Sequence, residues 1–107
     1  MHKRCNDILQ TTLDLVTGNR QKQNGDKDEN HENIARLWTA YLQNEGKLSK
    51  ESSLSSLNVA LLMSLLKIAR SQVGEYNPDD YVDLCGYGSI AGEIADKHNN
   101  KVTLLEK

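Results

Sequence analysis

The sequence predicts an all-α fold, a compact antiparallel four-helix bundle-like domain, and three observations carry that expectation. Apolar residues recur at three- and four-residue steps in each long segment, and no strand-like alternation occurs. The breaks between segments hold Gly, Asn, Ser and the single Pro. The 107 residues are one domain's worth of chain, 37% hydrophobic and 26% charged, so residues 1–107 read as one polar globular unit with a modest core.

The first helix is expected over 5–18. Cys5, Ile8, Leu9, Thr12, Leu13 and Val16 form one apolar stripe, and Gly18 with Asn19 is a usual helix stop. Residues 19–26 are polar, with an Asn24-Gly25 turn signal, and read as a loop. The second helix is expected over 28–44, where Ile34, Leu37, Trp38, Tyr41 and Leu42 keep helical spacing. Asp28, Glu29 and Glu32 load its first turns with the charge that the helix dipole favours. Gly46 ends it. Residues 47–56 are half serine, a connection free to be mobile, with Ser55 or Ser56 placed to cap the third helix.

That third helix, 57–73, is apolar nearly all round, the pattern of the most buried helix. The fourth, 78–98, has the clearest start: Asn77 caps, Pro78 takes the first position, and Asp79 and Asp80 fill the first turn. Gly86, Gly88 and Gly92 each weaken it by about 1 kcal/mol relative to Ala. That cost makes sense if a neighbouring backbone comes close to Gly88 and Gly92. The apolar surface of this helix exceeds what one small bundle can cover, so a homodimer is a natural expectation. Residues 99–107 read as a short tail or arm.

Composition excludes several function classes. No apolar run is long enough to span a bilayer, and no apolar stretch follows the basic N-terminus as in a secretory signal. Cys5 and Cys85 cannot build a disulfide framework, which fits a reducing, cytoplasmic setting. A net charge of −2 and a pI near 5.9 argue against a dedicated nucleic-acid binder.

Antiparallel packing suggests a charged pole. Lys67 and Asp83 lie equally far from the turn between the third and fourth helices, so they should be level, and Arg70 should contact Asp80 or Asp83. If the second helix runs antiparallel to the third, Glu29 and Glu32 reach the same end, together with Arg20, Lys22 and Asp26 of the loop. The pole admits two readings. Glu29, Glu32, Asp80 and Asp83 could hold Mg²⁺ through oxygen ligands, with Arg20, Lys67 and Arg70 binding substrate phosphates. Alternatively, Lys67 and Arg70 simply neutralise the aspartates of a helix hairpin. His31 reads as a solvent-facing or capping histidine more readily than as a base or ligand. Trp38 and Tyr41 read as core, Cys85 as an inert buried thiol, and Tyr87 could face a pocket or a partner.

Several blocks carry a resemblance. Arg20-Gln21, Gly25-Asp26 with Glu29-Asn30, Ile34-Ala35 with Leu37-Trp38 and Tyr41-Leu42, the run Val59 to Arg70, and Asp80-Tyr81-Val82-Asp83-Leu84 with Gly86-Tyr87 resemble a family of small phage and prophage proteins. More distantly they look like all-α nucleotide pyrophosphohydrolases of the MazG type. That resemblance implies Mg²⁺ on Glu29-x-x-Glu32 and Asp80-x-x-Asp83, and hydrolysis of a nucleoside triphosphate in the cytoplasm of a bacterial host. Asn24 and His31 stand where the phage family usually has aromatics, which would suit an inactive relative. The rival expectation is a non-enzymatic, anti-CRISPR-like inhibitor that blocks a host or anti-phage defence protein through its surface.

Overall fold

A computed structural model describes residues 2–18 and 27–106, with side chains through Asn99. Arg20, Lys22 and Asp26, expected at the charged pole, lie outside the described residues.

Among the described residues the chain is helical, with no strand: α1 (Cys5–Thr17), α2 (Lys27–Asn44), α3 (Ser56–Ser71) and α4 (Pro78–Glu106). The start signals work as the sequence predicts. Ser55 accepts the Asn58 N–H while Asn58 accepts the Ser55 N–H, a reciprocal cap for α3. The Asn77 side chain accepts the Asp79 N–H ahead of Pro78. Gly46 and Gly74 end α2 and α3 with φ of 71° and 76°, a conformation that a Cβ would disfavour. Beyond its expected end, α4 continues through the region read as a tail, up to Glu106.

The main interface joins α3 and α4, α1 packs on α4, and α2 packs on α3. Ala60, Ile90 and Ala91 form the core cluster, flanked by Val16, Leu57, Tyr87 and Ile94. Among the described residues Val59 is the largest side chain fully removed from water. The Thr12 hydroxyl sits 2.9 Å from its own helix at the Ile8 carbonyl and 3.2 Å from the Val82 carbonyl of α4. It is a polar rivet between these two helices.

Three expectations about packing are corrected. Helix α3 is covered on one side only. Val59 and Ala60 are buried, but Leu61, Leu62, Leu65, Leu66 and Ile68 are exposed. Gly88 and Gly92 have open space where a Cβ would stand, and of the three α4 glycines it is Gly86 that has a neighbour, the Thr12 methyl. Tyr41 and Leu37 are exposed, while Trp38 is half-buried.

The serine-rich connection is held rather than loose. The Gln43 side-chain amide lies within donating distance of the Ser49, Lys50 and Ser52 carbonyls, and the Leu54 N–H donates to the Thr39 hydroxyl. The chain therefore folds back along α2 before α3 begins. Glu32, Ala35 and Arg36 line a shallow depression with Leu54, Ser55 and Ser56, so it is the start of α3 that meets the middle of α2.

Candidate functional site

The fold-back changes where the charges fall. Lys67 and Asp83 form the ion pair their register predicts, at 3.0 Å and largely shielded from water. At the first turn of α2, Asp28 instead pairs with Lys97, about 21 Å along α4 from Asp83. The two carboxylate pairs are thus not gathered at one pole. Glu32 sits in the depression beside Arg36 and Ser55. Glu29 is exposed, and Asp80 is buried in the first turn of α4. Among the described residues, no three His, Cys, Asp or Glu side chains are grouped to share a metal ion. Among the described residues the donor set does not form a ready cage for Mg²⁺.

Arg70 is exposed, and among the described residues the ion pairs do not join it to either aspartate. The reason lies in the helical period. The inward row of α3 runs Ala60, Ser64, Lys67, Ser71, in steps of four, three and four. Lys67 lies on that row and reaches Asp83, whereas Arg70 lies about a hundred degrees to the side.

The structure assembles a different constellation. A cleft of about 620 Å³ opens between α1, α2 and α4, with Met63 contributed by α3. Leu15, Val16, Ile34, Val82 and Ile90 supply its apolar wall, and Lys27, Asn30, His31, Asn33, Asp83 and Tyr87 supply polar groups. Its size falls in the range of small-molecule sites, about 300–1,000 Å³.

His31 is the most informative residue in that lining. Its side chain is buried, contrary to the solvent-facing expectation. Nδ1 lies 2.8 Å from the Lys27 carbonyl oxygen. A carbonyl can only accept, so Nδ1 carries a proton, and in the neutral tautomer Nε2 then presents a lone pair. That Nε2 is buried without a hydrogen-bond partner among the described residues. An unsatisfied buried acceptor costs about 1–3 kcal/mol, so it calls for a group that donates to it. The Tyr87 ring lies 6.3 Å away, tilted by 59°.

A signal for this site was present in the sequence. His31 continues the row Ala35, Trp38, Leu42 in steps of four, three and four, so it belongs on the inward face of α2. Asn30 and Asn33 gave no such signal, because exposed asparagines are common on helices.

Comparison with known proteins agrees with the phage-family expectation. Residues 7–95 match a family described as a domain of unknown function, DUF6378. The chain is 39% identical over 83 residues to the Gene 55 protein of Mycobacterium phage L5, covering 78% of this chain and 49% of that protein. The Gene 55 protein of Mycobacterium phage D29 is 36% identical over 87 residues, with 81% and 52% covered. The chain thus spans about half the length of the curated relatives it matches. No solved structure matches. With its family match reaching from α1 into α4 and its relatives encoded by phages, the chain belongs to the DUF6378 family of phage proteins.

Proposed function

We propose that the cleft is a binding site for a small ligand of the nucleotide class. The observation that carries this reading is the buried, unpartnered Nε2 of His31 in the lining of a cleft large enough for such a molecule. In the neutral tautomer the lone pair at that atom takes an N–H or O–H donor, which an exocyclic base amine or a ribose hydroxyl provides. Tyr87 offers an aromatic surface to a base, and Lys27 offers a cation to a phosphate. Mg²⁺ enters this reading with the phosphates, as their counter-ion, rather than as a resident of the four carboxylates. Cleavage of a nucleoside triphosphate to monophosphate and pyrophosphate is the further step that the distant MazG likeness suggests.

The test is thermal unfolding with nucleoside mono-, di- and triphosphates, with and without Mg²⁺. Ligand at about a hundred times its Kd should add about 2.7 kcal/mol of stability. His31→Phe and Tyr87→Ala should remove that gain, and pyrophosphate release reports on cleavage. No stabilisation by any nucleotide would defeat the reading and put the inhibitor of a host or defence protein ahead, since such a protein works through its surface.

A further inference from the structure

Among the described residues, Asp83 is the one carboxylate in the wall of the cleft. Lys67 reaches it from α3 at 3.0 Å and is not itself part of that wall. The group is therefore held from behind, with 26% of its side chain exposed. An ionised carboxylate has about four acceptor sites and no donor. Lys67 takes one of them, so Asp83 can still accept hydrogen bonds from a molecule in the cleft. Its position is fixed before that molecule arrives.

Helical spacing orders the rest of the cleft. Tyr87 lies four residues after Asp83, on the same face of α4 and about 6 Å along it. His31 stands opposite Tyr87, with ring centroids 6.3 Å apart. Lys27 is one further turn from His31, at the start of α2, and that start lies beside Lys97, away from Asp83. The cleft thus runs from a carboxylate, past an aromatic ring and a histidine nitrogen, to a lysine. Base, ribose and phosphate follow one another in the same order along a nucleotide.

A fixed carboxylate sorts bases by their edges. Guanine presents two adjacent donors, the ring N1–H and the 2-amino group, which a carboxylate accepts together. Adenine and cytosine set a ring-nitrogen lone pair beside their amine, and uracil flanks its N–H with carbonyls. Each of these turns an acceptor toward an acceptor, which leaves polar groups unpaired in the site.

We propose that Asp83 makes the cleft selective for guanine nucleotides, an inference that rests on the nucleotide reading of that cleft. Asp83 accepts from N1–H and the 2-amino group, Tyr87 lies against the base, and Nε2 of neutral His31 accepts from a ribose hydroxyl. Asp83 is then a specificity-determining residue, and Lys67 positions it.

Calorimetric titration of the full chain with guanosine, adenosine, cytidine and xanthosine monophosphates, with and without Mg²⁺, tests it. The guanosine nucleotide should bind at least about ten-fold more tightly than the adenosine or cytidine one. Asp83→Asn should reverse the order of the guanosine and xanthosine nucleotides. Its amide N–H donates to the 2-carbonyl of xanthine while its oxygen accepts N1–H. An ion pair with a purely structural role would weaken both nucleotides alike in that variant, and this result overturns the proposal. Adenosine or cytidine monophosphate binding the wild type as tightly as guanosine monophosphate also overturns it, and leaves the nucleotide reading standing. Binding of none of the four overturns both. The wild-type ranking uses no variant, so it decides alone should Asp83→Asn not fold.

Discussion

Replacing His31 with phenylalanine should make the protein more stable and less able to bind. The ring keeps its place beside Tyr87, and two polar terms change. The Nδ1–H bond to the Lys27 carbonyl is lost, which costs about 0.5–1.5 kcal/mol. That carbonyl is left with its ordinary partner, the backbone N–H one turn along α2. The unsatisfied Nε2 also disappears, which returns about 1–3 kcal/mol. The balance is a gain of about 1 kcal/mol, or roughly 4–8 °C in Tm for a domain of this size. Differential scanning calorimetry without ligand reads it directly, and the same scan with nucleotide should show the variant unresponsive. A stability gain coupled to lost binding is the signature of a polar group kept for a ligand. A fall in Tm of the size a core cavity produces would refute the reasoning, because it would mean that Nε2 already has a donor in the free protein.

Two further outcomes rest on the packing. Lys67→Met should cost about 1–3 kcal/mol by stranding the shielded Asp83 carboxylate, and adding Asp83→Leu should recover most of it, as read by urea titration of the double-mutant cycle. Gly92→Ala should stabilise α4 by about 1 kcal/mol, since a Cβ there meets open space. A lower melting temperature for Gly92→Ala would show that this face is covered in solution.

The elements were legible because each rests on a local rule. Ser55, Asn77 and Pro78 announce their helices by side-chain chemistry within one turn, and the level placement of Lys67 and Asp83 comes from counting outward from a short turn. The course of α2 was not legible. It depends on Gln43 and Thr39 gathering the backbone of residues 49–54, bonds that leave no periodic trace. With that course hidden, simple antiparallel packing sent Glu29 and Glu32 to the end of the molecule that holds Asp80 and Asp83. The exposure of α3 escaped for another reason. A pattern of apolar residues states which faces avoid water, but not how many neighbours the chain has to cover them. His31 lay between these cases, since its place on the inward row was readable while its vacant nitrogen required coordinates.

The rivet at Thr12 joins residues far apart in the chain, and this has a bearing on the order of assembly. Helices α3 and α4 follow each other closely and can dock with little loop-closure entropy. Helix α1 must wait for α4 to be synthesised, and among the described elements its principal neighbour is α4. It therefore settles after the α3–α4 hairpin, as a sub-globally opening unit whose amides should exchange ahead of the α3–α4 core. Because Thr12, Leu15 and Val16 wall the cleft, this late-docking helix is also one that a molecule entering the cleft would clamp down.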